Sequence, residues 1–244
     1  MNNTEKWWNE NGLTFQNERN ILVDINYGPG SPNEDNLKLL GEIKGKTVLE
    51  IGCGGAQCGI ALAKKGAKVT GIDISETQLK FAKDLADKNG VDIQFYQGDV
   101  VSLKQIGSDS QDIVFSSWAL LYVNDLKTCF KEVQRVLKKG GIFVFSTTHP
   151  FWAVFDKEKM AMKRSYLETG AVREQWKKGI FVAYHHKISD IINALIGAEL
   201  IIEKVIEPDS RKHYEEDFWM ETYEEYKKEG LTFLPATIIV KAKK

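Results

Sequence analysis

Glu50 and Asp73 are the acids on which the chemistry of this chain turns. Each closes an apolar run, Thr47-Val48-Leu49-Glu50-Ile51 before a glycine-rich stretch and Lys68-Val69-Thr70-Gly71-Ile72-Asp73 after it. A carboxylate at a strand end can accept two hydrogen bonds, which suits the paired hydroxyls of a ribose. Between the acids lies Gly52-Cys53-Gly54-Gly55-Ala56-Gln57. Gly52 and Gly54 leave the turn without Cβ atoms, so a ligand can approach the backbone closely. A helix starting near Ala56 aims its free N–H groups and positive end at the same turn. Strand, turn, helix and strand form a βαβ unit that holds a nucleoside at the carboxyl ends of two parallel strands.

Nicotinamide dinucleotides and S-adenosylmethionine both use such a unit, and the details separate them. The dinucleotide fingerprint G-x-G-x-x-G, counted from Gly52, meets Gln57 at its sixth position, so the third glycine is absent. Glu50, just before the first glycine, repels a pyrophosphate but attracts an ammonium and a sulfonium. S-adenosylmethionine carries both cations. The residues favour it, with S-adenosylhomocysteine as product. A nicotinamide-dependent oxidoreductase and an S-adenosylmethionine-binding protein without catalysis are the alternatives.

The run Val48-Leu49-Glu50-Ile51-Gly52-Cys53-Gly54 resembles the first motif of the class I S-adenosylmethionine-dependent methyltransferases. Within them the chain resembles the small-molecule "type 11" branch, related to ubiquinone and menaquinone biosynthesis methyltransferases. The likeness covers residues 46–148 well and the remainder weakly. It departs at Ala56, where the family's E-x-G-x-G-x-G often has glycine; alanine is small and starts a helix well. The resemblance implies a cofactor site made of Tyr27, near the methionine moiety, Glu50, Gly52, Cys53, Gly54 and Gln57 at the turn, and Asp73 and Ile74 after the second strand. It adds Asp99 for the adenine amino group, Val100 for the ring, and Ser116 and Trp118 after the fourth strand. The loop Trp118–Val123 resembles the one that holds the sulfonium and faces the acceptor. No N-P-P-Y or D-P-P-Y signature stands there, which argues against adenine, glutamine or DNA-amine methylation. The Leu137-Lys138-Lys139-Gly140-Gly141 junction is a further family feature.

Methyl transfer is an in-line attack on an already good electrophile, so alignment and desolvation are the main tasks. A base is needed only where the acceptor is protonated. His149, after the fifth strand, has a near-neutral reference pKa and is a candidate; Tyr184 and His186 are further candidates, with Tyr166 and His185 behind them. His185 and His186 are adjacent, and on a strand they point to opposite faces, so a shared metal is not expected. Residues 151–187 form an insertion rich in aromatics (Phe151, Trp152, Phe155, Tyr166, Trp176, Phe181, Tyr184) and cations (Lys157, Lys159, Lys163, Arg164, Arg173, Lys177, Lys178). Aromatic walls suit a planar or apolar acceptor, and the cations suit a carboxylate or phosphate; a two-stranded flap with a solvated charged face is the plainer reading.

The elements that must position these residues follow from periodicity. Residues 4–26 read as partly helical, a packed helix or a lid over the site. Asn33 to Ile43 reads as a helix. Val91–Tyr96, Gln111–Ser117, Ile142–Thr147 and Glu199–Ile206 read as strands three to six. Thr237–Val240 supplies the last strand, at the sheet edge, and residues 210–229 an exposed helical excursion or second cap. The expected fold is α/β, a Rossmann-like seven-stranded, mostly parallel sheet with helices on both faces and the last strand antiparallel; the resemblance implies the order 3-2-1-4-5-7-6. One domain over 1–244 is expected, with a helical cap (1–45), cofactor core (46–148), substrate-side insertion (149–187) and C-terminal part (188–244). The 244 residues carry 43% hydrophobic and 27% charged side chains and a formal charge of -1, an ordinary globular balance with no case for nucleic acid. No apolar run suggests a signal peptide or membrane span. An odd three cysteines fit a reducing cytoplasm. A monomer or homodimer acting on a small-molecule acceptor is expected.

Overall fold

The computed structural model describes residues 3–19, 21–156, 159–176, 179–209 and 234–244. The expected excursion at 210–229, with Tyr214, Phe218, Trp219, Tyr223 and Tyr226, lies outside the described residues, as do Lys157, Lys177, Lys178 and the side chain of Trp176.

Helix α1 (Asn3–Arg19) and the single turn α2 (Glu34–Leu37) precede the sheet. Strand β1 (Thr47–Ile51), helix α3 (Gln57–Lys64), strand β2 (Lys68–Asp73), helix α4 (Glu76–Lys88) and strand β3 (Ile93–Gln97) build the first half. Strand β4 (Gln111–Ser117), helix α5 (Leu126–Val136) and strand β5 (Leu137–Thr148) follow. Next come the short helix α6 (Pro150–Ala153), the small ribbon β6 (Phe155–Asp156) and β7 (Ala161–Met162), and the hairpin β8 (Gly170–Trp176) and β9 (Gly179–His185). Helix α7 (Ile188–Gly197), β10 (Ile201–Ile206) and β11 (Thr237–Lys243) complete it. The seven-stranded sheet runs β10-β11-β5-β4-β1-β2-β3, as the resemblance implied. β11 is antiparallel to both neighbours, and it lies between β5 and β10. The expectation that the last strand forms the edge is therefore corrected: β10 is the edge, and its Ile201 and Val205 are exposed.

Alternation along the buried strands sorts the core into two layers. Leu49, Val114, Phe143 and Val240 face α5 and α7; Val48, Ile113, Val144 and Ile239 face α3 and the segment 25–43. On the first face Phe130 of α5 packs 5.5 Å from Phe143 and 5.4 Å from Phe145. Helix α5 offers Leu126, Cys129, Phe130, Val133 and Val136, a stripe at helical spacing, and Asp125 caps it by accepting the Thr128 N–H at 3.0 Å. Ser75 caps α4 in the same way through Gln78.

The helix expected over 33–43 stops after one turn. Lys38 turns left-handed (φ 51°), and the buried Glu34 carboxylate takes the N–H groups of Leu39 (3.1 Å) and Leu40 (2.7 Å). A side chain that satisfies these amides removes the need for the helical ladder. Smaller boundary differences occur at β3, which starts two residues later, at β5, which already begins at Leu137, and at β10, where left-handed Glu199 (φ 59°) precedes the strand.

Candidate active site

The strand order reverses between β1 and β4, and a cleft opens there at the carboxyl ends, where open α/β sheets bind ligands. The cavity has a volume of about 510 Å³. Its floor is Glu50, Gly52, Cys53, Gly54, Gly55 and Gln57 with Asp73, its side is Ser117 to Tyr122, and its roof is α1 and the β8–β9 hairpin.

Gly52 has φ 65°, and a Cβ there would stand 2.3 Å from the Ala119 Cβ, so the turn and the loop after β4 meet only because Gly52 lacks a side chain. Asp73 is built into this turn: Oδ2 accepts the Gly54 N–H at 2.8 Å and Oδ1 the Ser75 N–H at 2.9 Å. A carboxylate has about four acceptor positions, so these bonds leave capacity for a ligand hydroxyl. Glu50 is buried, and its Oε2 has no hydrogen-bond partner. Burial pushes the Glu50 carboxyl up from 4.5 to about 8, against the Gly59 N–H, and the Asp73 charge adds to the rise. Burial also raises Asp73, against the backbone N–H groups of Ser75, Gly54 and Ile74. Two buried acids, one oxygen without a partner and a turn that lacks Cβ atoms at Gly52, Gly54 and Gly55 fit a ligand that brings a cation and a hydroxyl.

Ala56 is itself left-handed (φ 57°), so the position where the resembled family often has glycine demands glycine's conformation here. The expectation of a mild change is corrected: an alanine in that region costs about 1–2 kcal/mol. Trp118 is left-handed as well (φ 54°). Its indole Nε1 donates to Thr237 Oγ1 at 3.0 Å, and Thr237 donates to the Pro29 carbonyl at 2.7 Å. The ring packs against Gly28, where a Cβ would come within 2.1 Å of it.

Of the cofactor candidates, Glu50, Gly52, Cys53, Gly54, Gln57, Asp73 and Trp118 meet on the cavity wall. Ile74, Asp99 and Val100 stand off it; Asp99 Oδ1 accepts the Val101 N–H, and Val100 packs into the core. Ser116 points into the sheet and donates to the Ile51 carbonyl at 3.0 Å, while its neighbour Ser117 borders the cavity. Tyr27 is a core residue: its ring packs 5.7 Å from Phe115 and its hydroxyl donates to Glu34. Burial pushes the thiols of Cys53 and Cys58 well up, so both stay neutral.

The histidines separate by their partners. His149, 2% exposed, is absent from the cavity wall; its Nδ1 accepts the Phe151 N–H at 3.2 Å, capping α6, and its Nε2 meets Glu207 at 2.8 Å. Its ring is consumed by structure, contrary to the expected catalytic placement. His185 and His186 both border the cavity, as does Tyr184. His185 Nε2 donates to the Tyr166 carbonyl at 3.1 Å, and its Nδ1 is sealed without a partner. His186 Nε2 donates to the Val123 carbonyl at 2.8 Å. Burial lowers the pKa of both rings. Tyr166 stacks on Phe151 at 4.5 Å, and its hydroxyl accepts the Ile188 N–H, away from the wall. Lys163 and Arg164 both reach the Glu174 carboxylate, at 3.1 and 3.5 Å, so these two of the cations expected to await an anion already share an acid.

Gln16 and Gln78, on the wall beside the expected Gln57, had no sequence signal. Gln57 donates to Gln16 at 2.6 Å and Gln16 donates to Gln78 at 2.9 Å, a buried amide relay fastening α1 over the glycine turn. Glutamines on a helix normally read as a solvated face; only the docking of α1 on α4 buries them. Trp8 of the same helix meets Tyr122 at 5.3 Å, and Tyr122 meets Phe181 of the hairpin at 6.0 Å, joining the two parts of the roof.

A doubly wound sheet with a glycine turn and two acids at its switch point is the arrangement of a nucleoside-cofactor protein. Residues 42–214 match a family model described as a methyltransferase domain, and the chain belongs to that family. It is 33% identical over 187 residues to an uncharacterized protein of Haemophilus influenzae, covering 70% of this chain and 74% of the relative. It is 32% identical over 142 residues to the ubiquinone biosynthesis O-methyltransferase of Pseudomonas entomophila, covering 58% and 57% of the two chains. The chain spans about half the length of the curated relatives whose activity is named. The solved structure of an S-adenosylmethionine-dependent methyltransferase from Mesorhizobium loti superposes with a TM-score of 0.70 at 30% identity, covering 85% of this chain and 95% of that one. The cofactor is S-adenosylmethionine. Among the described residues, no helix is long and apolar enough to cross a membrane.

Proposed function

We propose that this methyltransferase acts on a small, planar or largely apolar acceptor held beneath the roof formed by α1 and the β8–β9 hairpin. The observation that carries the reading is the continuity of the cavity, which runs from Glu50 and Asp73 to the aromatic side chains Trp8, Tyr122, Trp152 and Phe181. The cofactor supplies an activated methyl group next to a good leaving sulfur. The chain's own contribution is to hold the two partners in line and exclude water. Asp73 and the amides it fixes orient the nucleoside, Glu50 balances positive charge, and the loop from Trp118 to Val123 forms the wall between donor and acceptor. The relative named for ubiquinone biosynthesis supports a ring-bearing acceptor. Cys53, Cys58 and Cys129 are free and buried, which supports a reducing, cytoplasmic setting.

Calorimetric titration with S-adenosylhomocysteine, beside NAD, tests the cofactor half of this reading. Wild type is expected to bind the product at micromolar or tighter affinity, and Asp73→Ala to lose at least tenfold. Transfer of labelled methyl from S-adenosylmethionine into the low-molecular-mass fraction of a cell extract, with none into bulk tRNA, tests the acceptor half. Label in tRNA alone would overturn it.

A further inference from the structure

We propose that His186 is the general base of this enzyme and that its substrate is a neutral hydroxyl compound, deprotonated at oxygen as it is methylated. The inference rests on the small-molecule reading above. The Val123 carbonyl can only accept, so the 2.8 Å contact places the ring proton on Nε2. A neutral imidazole so anchored carries a bare lone pair on Nδ1. His186 is half-buried on the cavity wall, and no described residue bonds its Nδ1. The other two described histidines lack this combination. His185 is anchored likewise on Tyr166, but its Nδ1 is sealed, and His149 uses both nitrogens. Burial holds the protonated ring down; Asp190 opposes that effect and His185 adds to it.

Val123 makes the placement specific. It ends the segment that begins at Trp118, and within that segment Ala119 rests against Gly52 of the cofactor turn. The carbonyl that orients the base thus belongs to the loop that borders the methyl donor, which registers base and donor to each other. In the reaction an oxygen lone pair of the acceptor forms the new O–CH3 bond, and the CH3–S bond breaks with its electron pair returning to sulfur. The hydroxyl proton passes to His186 Nδ1 and leaves later to solvent. The surrounding aromatic side chains suit a hydroxyl carried on a planar apolar frame.

The test uses the full chain with 15N-labelled histidine, saturated with S-adenosylhomocysteine, and 2-naphthol as probe. His186 is expected to show the Nε2–H tautomer, with an Nδ1 resonance that moves when 2-naphthol is added and stays put with 2-methoxynaphthalene, which has no proton to give. In turnover with S-adenosylmethionine, His186→Gln is expected to reduce methylation of 2-naphthol about a hundredfold or more while S-adenosylhomocysteine affinity stays within twofold. The loss should be smaller at high pH, where naphtholate forms without help. An Nδ1–H tautomer, no response to 2-naphthol in a protein that binds S-adenosylhomocysteine, or undiminished turnover by His186→Gln overturns the proposal. Failure of wild type to bind S-adenosylhomocysteine would instead overturn the reading beneath it.

Discussion

Replacing Glu50 by glutamine should make the free protein more resistant to alkaline pH while weakening its hold on the cofactor. The reason is the cost of ionising a carboxyl sealed under the glycine turn. Its pKa rises from 4.5 to about 8 in the folded chain, with burial as the main cause. The folded state therefore binds a proton more tightly than the unfolded state. The resulting stability is fully present below about pH 4.5 and is lost as pH rises through about 8. At ~1.4 kcal/mol per tenfold change in proton affinity, the full loss is on the order of 4–5 kcal/mol. For a chain of this size that corresponds to a fall in Tm on the order of 10 °C. A bound ammonium or sulfonium favours the ionised carboxylate, so binding must expel the proton. With a pKa of about 8, about nine-tenths of Glu50 is protonated at pH 7. Titration with S-adenosylhomocysteine in buffers of different ionisation enthalpy should therefore release close to one proton at pH 7 and little at pH 9. Glu50→Gln should release none, bind at least tenfold more weakly, and melt with a flatter pH profile between pH 5 and 9. Parallel melting profiles for the two proteins, together with no proton release by wild type, would refute the placement of Glu50 as a buried counter-charge.

Two further outcomes follow from the packing. Gly28→Ala puts a Cβ into the Trp118 indole at a left-handed backbone position, and should cost about 2–4 kcal/mol in denaturant unfolding, with weaker S-adenosylhomocysteine binding because Trp118 is displaced from the wall. His149→Ala removes a helix cap and the Glu207 contact; it should lower stability by about 1–3 kcal/mol and leave kcat within a few-fold, measured by denaturant titration and methyl-transfer assay. A loss of kcat above a hundredfold in a folded His149→Ala protein would return that ring to the chemistry.

The division between what sequence and fold each contributed follows interaction range. β1, α3 and β2 are written in contiguous residues: an apolar run ending in Glu50, a glycine turn and a second run ending in Asp73. Local backbone preference and burial alone place both acids at neighbouring strand ends, whatever packs elsewhere. The two faces of the sheet follow from the same buried strands. The helix over 33–43 fails because Glu34, which looks like an ordinary first-turn acid, is buried and spends its oxygens on Leu39 and Leu40. Tyr27 and Ser116 point away from the cavity because strand alternation and core packing claim them.

The roof and the proposed base were decided by tertiary structure. Gln16, Gln57 and Gln78 come from three helices, and nothing in their local sequence says they will be buried together. Among His149, His185 and His186 the sequence ranks the imidazoles by position along the chain alone, with His149 first. What separates them is which distant backbone or carboxylate group meets each nitrogen: Glu207 and Phe151 for the first, Tyr166 for the second, Val123 for the third. The residues proposed to bind the nucleoside are near in sequence because one turn must cradle one ligand. Those proposed to meet the acceptor come from α1, the loop after β4 and the β8–β9 hairpin, and only folding brings them to one wall.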